Sequence, residues 1–162
     1  WENKTNDGSI HDGSKTFNWC DRNPSTNGGN QGTCRTGTGD AATDTEAFIK
    51  ALNDARFGGF ADWRLPLPKE MMAITDRGRS HPASNTNWFP NTVSSEYWSS
   101  STNVHPYGSA WCVDFIIGYV VSSSKSSNYA VRAVRGGQSE SRYIINGDGT
   151  VTDTATGLMW QQ

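Results

Sequence analysis

Tyr97-Trp-Ser-Ser-Ser101, Trp111-Cys-Val-Asp-Phe115, Tyr119-Val-Val121 and Tyr129-Ala-Val-Arg-Ala-Val134 are the four runs that decide the fold class of this chain. Each is short, rich in aromatic and β-branched residues, and divided from the next by Ser, Asn or Gly, as expected of strands joined by turns. Their spacing predicts an antiparallel meander in the second half. Upstream the period changes. Ala47, Phe48, Ala51, Leu52 and Ala55 share one face of a predicted helix, opened by the capping-box pattern Thr43-x-x-Glu46 and stopped by Gly58-Gly59. A second, shorter helix is predicted from Pro68 through Glu70, Met71, Met72 and Ile74, with Asp76-Arg-Gly78 ending it. Two early helices packed on a late antiparallel sheet make an α+β domain. Residues 1–40 read as irregular chain in which Phe17 and Trp19 alternate into the core over one short strand. Trp88-Phe89-Pro90 reads as a plug dropped into that core. Tyr143–Val151 reads as a hairpin turning on Asn146-Gly147 or Asp148-Gly149, with a further strand in Thr156–Gln161.

The 162 residues set an expectation of one domain, and 34% hydrophobic residues with seven tryptophans exclude a disordered chain. A formal net charge of -2 argues against nucleic-acid binding, which needs a basic stripe to displace phosphate counterions. No apolar run approaches the ~20 residues that span a bilayer, so membrane insertion is not expected. The chain opens on Trp1 rather than Met, the expectation being a removed leader or excision from a longer polypeptide.

Cys20 and Cys34 flank Asp21–Thr33, a loop of turn formers with no apolar residue to anchor it. A disulfide at its neck would supply the missing order, worth on the order of 3 kcal/mol for a loop of about this length; two free thiols or part of a metal site are the alternatives. Cys112, inside the apolar run 110–115, reads as a small buried hydrophobe. One disulfide and one buried thiol point to an oxidising compartment.

The sequence offers little catalytic chemistry. His11, His81 and His105 stand in polar loops, none at ligand spacing with another, so no catalytic residue and no cofactor are expected. Asp148-x-Thr-x-Thr-Asp153 and Asn6–Asp12 place oxygen ligands in tight loops but lack the complete calcium-loop pattern, and no metal is expected. Asp62-Trp63-Arg64 is read as structural, with Trp63 in the core and Arg64 bonded to backbone carbonyls or to Asp62. Arg132 and Arg135 are placed on opposite strand faces, one of them pairing with Asp114 or Glu96, or both solvated. The better binding region is 99–129. There Asn103, His105, Tyr107, Lys125, Asn128 and Tyr129 set aromatic, amide and charged groups in Ser-rich loops between strands, the composition of adaptable recognition surfaces.

Asp62-Trp-Arg-Leu-Pro66, Tyr97-Trp-Ser-Ser-Ser101 and Ala130-Val-Arg-Ala-Val-Arg-Gly136, in that order, resemble the C-terminal domain family of the Legionella collagen-like adhesin, a module of bacterial surface proteins. The resemblance implies a C-type-lectin-like fold, related to that of formylglycine-generating enzymes, over residues 1–137. It implies a non-enzymatic adhesion or recognition role, extracellular or at the cell surface, toward a glycan or protein ligand. Family members open with a segment like Asp148–Trp160, which here comes last. If Trp160 corresponds to Trp1, the chain is one period of a tandem array. Residues 138–162, and the strand-forming part 143–162 above all, would then complete this domain or be donated to a neighbouring copy, the second case building an extracellular filament.

Overall fold

The structure, a computed structural model, describes residues 1–35, 37–105, 107–136, 143–153 and 158–161. In chain order its elements are β1 (Phe17–Asn18), α1 (Thr45–Asp54), β2 (Trp63–Arg64), α2 (Pro68–Met72), β3 (Glu96–Asn103), β4 (Ser109–Asp114), β5 (Tyr119–Ser124), β6 (Asn128–Tyr129), β7 (Val134–Arg135), β8 (Tyr143–Ile145), β9 (Thr150–Asp153) and β10 (Met159–Gln161). Mixed helix and antiparallel sheet make it an α+β protein.

The centre is the meander β3-β4-β5. Successive side chains of a strand leave on opposite faces, and β3 and β4 are buried on both. Trp98, Ala110 and Cys112 join Phe17, Trp19, Phe48, Leu52 and Trp63 in one core cluster, whereas Tyr97, Val113 and Phe115 join Met71 in a second. The amphipathic stripe of α1 therefore packs on one face of the sheet and α2 on the other. β5 is mostly solvent-exposed. The α1 N-cap is Asp44, whose carboxylate accepts from Ala47 N–H, one residue beyond the predicted Thr43. α2 ends at Met72, so Ile74 lies in the following turn.

The predicted strand 129–134 is divided. Asn128–Tyr129 pairs with β1, and Val134–Arg135 with β2. Between them Ala130 runs beside β3, accepting from Trp98 N–H at 3.0 Å and donating to Glu96 C=O at 3.1 Å. The three sequence motifs thus converge: Trp63 is opposite Arg135, Trp98 is bonded to Ala130, and Ser100 N–H donates to Pro66 C=O at 2.8 Å.

Trp88 is no core plug: it is 75% exposed, and only its neighbours Phe89 and Pro90 are half-buried. Asp62 pairs with Arg135, not Arg64; Arg64 donates to the Leu65 and Gly136 carbonyls and, bidentately, to Glu70 at 2.7 and 2.8 Å. Arg132 is neither solvated nor paired with Asp114 or Glu96. It is buried, donating to Glu2 C=O at 2.7 Å and to the Thr92 hydroxyl at 2.8 Å. Glu2 is buried as well and accepts from Lys4 Nζ at 3.0 Å and from Ala133 N–H at 2.9 Å, so residues 2–4 are tied to residues 132–133. At the other end, β8, β9 and β10 pair antiparallel in a sheet of their own, with Ile145 opposite Val151 across the 146–150 turn. Part of the 138–162 segment lies outside the described residues. Among the described residues no helix is long and apolar enough to cross a membrane.

Candidate functional site

Cys20 and Cys34 form a disulfide, the first of the alternatives open in the sequence. Their sulfurs and Glu46 lie together, but disulfide sulfurs are not thiolate ligands, so the grouping is not a metal site. The loop they close is ordered by its own side chains. The side-chain oxygens of Asp21, Asn23, Asn27 and Asn30 accept from the N–H two residues on in each case, at 2.8 to 3.0 Å, a run of Asx turns. Gly32 closes the series at φ +79°, where a Cβ would lie 2.3 Å from the Trp19 carbonyl oxygen.

The meander then clamps this loop. Tyr107 OH donates to Gly29 C=O at 2.8 Å. The Lys125 ammonium donates to Asn27 C=O at 2.9 Å and Asn30 C=O at 2.6 Å, and stands 4.1 Å from the Trp19 ring centroid. Lys125 is only 2% exposed, and burial pushes its pKa down. Of the other sequence candidates, Asn103 is buried and its side chain accepts from His105 N–H, shaping the β3–β4 turn. His105 and Asn128 are exposed. Tyr129 is half-buried against Trp98, ring centroids 5.0 Å apart, and the Glu96 carboxylate beside its hydroxyl raises its pKa. Among the described residues, therefore, the six are not brought together at one cavity. Lys125 and Tyr107 hold the cystine loop, with the Tyr107 ring still 70% exposed, and Asn128 and Tyr129 sit on β6.

What the clamp creates is a cleft. Asp21 and Thr26 on the cystine loop face Leu67 before α2 and Ser100, Ser101 and Thr102 on β3, enclosing about 460 Å³. Through Asp21 and Ser100 it adjoins a pocket of about 190 Å³ whose lining includes Trp19, Ile49 and Leu65. Two surplus residues in β3 shape the wall: the register passes from Trp98 opposite Cys112 to Thr102 opposite Ala110, so 99–101 bulge against the single residue Trp111. Bulges re-aim side chains and recur at binding sites. Ser99 turns inward to the Trp111 carbonyl at 2.7 Å, while the Ser100 and Ser101 hydroxyls bond to no group among the described residues. Arg64 and Glu46 also border the pocket, but each is already paired, Arg64 with Glu70 and Glu46 with Arg22. Arg64 in turn holds the Glu70 carboxyl below its usual range. Ser100 and Ser101 lie in the predicted 99–129 region. Asp21, Thr26 and Leu67 were missed, because nothing in a turn-rich loop says which of its residues will face a strand 80 positions away. The signal available was three serines inside an aromatic strand. Cys112 is a buried free cysteine, and burial raises its pKa.

Fold and site define a class: an α+β domain whose disulfide-closed loop is braced on an antiparallel meander beside an open cleft. A scan against family models matches residues 1–135 to the Lcl C-terminal domain, and the chain belongs to that family. No curated protein and no solved structure matches the chain.

Proposed function

We propose that this chain is a non-catalytic recognition module of lectin-like architecture, belonging to a bacterial adhesin at or outside the cell surface, and that it takes a glycan or protein ligand in the cleft beside the cystine loop. The observation that carries the reading is the pair of hydroxyls, Ser100 and Ser101, without a partner among the described residues, lining the same cleft as Asp21 and continuous with a pocket lined by Trp19, Ile49 and Leu65. Such a wall offers hydrogen bonds to a hydroxylated ligand and apolar contact to its less polar faces. Membership of the Lcl C-terminal domain family and the disulfide support the placement outside the cell.

The test is a glycan array probed with the wild-type chain and with the double variant Ser100→Ala/Ser101→Ala. Two neutral hydrogen bonds at about 1 kcal/mol each correspond to a loss of roughly tenfold to thirtyfold in affinity, with the melting temperature unchanged. Absence of binding to any glycan, or equal binding by both proteins, overturns the glycan reading. Assembly through residues 143–162 is a second proposal, favoured by the self-paired sheet β8–β10 and the exposure of Met159 and Trp160 there. Light scattering on the same samples, with and without residues 143–162, separates the two: assembly that vanishes on deletion supports this role, and a monomer in both cases removes it.

A further inference from the structure

Between α2 and β3 the chain runs through a segment that the cleft does not use. From Ser80 to Ser95 the chain contains no Asp, Glu, Lys or Arg, and His81 is its one titratable side chain. In the middle of this uncharged stretch Trp88 presents 75% of its surface to solvent. Among the described residues its indole takes no ring contact, no cation and no hydrogen-bond acceptor. The backbone beneath it is fixed. Trp88 N–H and Phe89 N–H both donate to Asn85 C=O, at 3.1 and 2.9 Å, and the Thr92 hydroxyl donates to Phe89 C=O at 2.7 Å. The Phe89 ring lies 5.4 Å from the buried Arg132 guanidinium, which also donates to the Thr92 hydroxyl. A large aromatic ring is thus held out on a braced turn, flanked by the exposed side chains of Thr86 and Asn87, neither of which bonds within the described residues.

We propose that Trp88 is a stacking platform for an uncharged sugar ring, at a site separate from the cleft. The indole face matches the apolar C–H face of a pyranose. Its N–H, with the Thr86 hydroxyl and Asn87 amide, matches the ring's equatorial hydroxyls, combining rigid aromatic area with adaptable polar groups. The lack of charge selects the ligand: an anionic or cationic polymer meets no opposite charge on this stretch, and a neutral polyol needs none. Little chain entropy remains to be lost, because the turn is braced before the ligand arrives.

The experiment follows the indole N–H resonance of Trp88, assigned as the signal missing from Trp88→Ala, during titration with maltotetraose, cellotetraose and mannotetraose. A saturable shift with at least one of these sugars is expected. Trp88→Ala should weaken that binding at least tenfold at unchanged melting temperature, Trp88→Phe should weaken it less, and Ser100→Ala/Ser101→Ala should leave it intact. The last variant keeps the fate of this site distinct from that of the cleft. No saturable shift with any of the three, or binding that survives Trp88→Ala, overturns the proposal. It is also overturned if the resonance moves instead with zwitterionic phosphatidylcholine vesicles, or with protein concentration alone, either of which assigns the ring to another partner.

Discussion

Replacing Lys125 by Met tests whether a buried cation braces the cystine loop. The side chain keeps its length and most of its volume, so the change isolates the ammonium. Asn27 C=O retains the Thr102 hydroxyl at 3.3 Å and Asn30 N–H at 3.2 Å, whereas Asn30 C=O loses the ammonium, its donor at 2.6 Å. One orphaned half-buried acceptor costs about 1 kcal/mol, the low end for an unsatisfied group, and the lost contact with the Trp19 ring about 1 kcal/mol. Against this stands relief of the desolvation that lowers the Lys125 pKa, since Met carries no charge to bury. The net expectation is a loss of about 1–2 kcal/mol, or roughly 2–8 °C in melting temperature for a chain of this size. Hydrogen exchange read alongside the melt should show the amides of Asp21–Thr33 opening more than those of β3 and β4. A variant as stable as the wild type, or one whose loop exchanges no faster, would refute the brace and return Lys125 to the pool of ligand-facing residues.

Two further expectations follow from other contacts. Cutting the disulfide by Cys20→Ser/Cys34→Ser should cost about 3 kcal/mol through the freed loop, and reducing agent should lower the wild-type melting temperature while leaving the variant's unchanged; insensitivity of the wild type would show that the bridge constrains nothing. Asp12 has its pKa drawn down to about 2, first by the Ser14 hydroxyl and then by the Gly8 and Ser14 N–H groups. A carboxyl whose folded pKa lies below its unfolded value stabilises the fold above the unfolded pKa and loses that contribution as pH falls through the folded one. The difference in melting temperature between wild type and Asp12→Asn should therefore narrow as pH drops from about 5 to about 2, and a constant difference would contradict the assignment.

Much of the architecture could be read in the residues, for reasons that also mark where reading stopped. Tyr97-Trp98 and Cys112-Val113 announced strands because both sheet faces are buried there, so each residue of a pair has a core of its own to enter. The run 129–134 looked like one strand because alternation records which face a side chain takes and not which strand lies alongside; the change of partner from β1 to β2 leaves no mark in the pattern. Trp88 was read as core because an aromatic next to Phe and Pro carries the same local signal whether it points in or out. Lys125 and Arg132 were misjudged for a stricter reason. Their acceptors include the backbone oxygens of Asn27 and Glu2, 98 and 130 positions away, and a carbonyl has no residue type by which to announce itself.

That failure also explains the composition. A chain with so much irregular backbone buries carbonyls that no ladder N–H can reach, and each must find a donor. Tryptophan supplies one without adding an acceptor, and the three buried tryptophans do so: Trp19 to Ser99 C=O at 3.0 Å, Trp63 to Phe57 C=O at 2.8 Å and Trp98 to Phe17 C=O at 2.8 Å. Lys125 and Arg132, also donors only, serve the cystine loop and residue 2 in the same manner. Two of these bonds bear on the cleft, Trp19 to Ser99 on the bulged wall and Lys125 to Asn27 and Asn30 on the loop wall. The surface that the proposed cleft would offer a ligand is therefore set by interior donors, not by the loops' own sequence preferences. A loop of turn formers would otherwise have to be ordered at a ligand's expense, and bracing it in advance is what would let the proposed cleft, a wall of hydroxyls beside the Asp21 carboxylate, hold a partner.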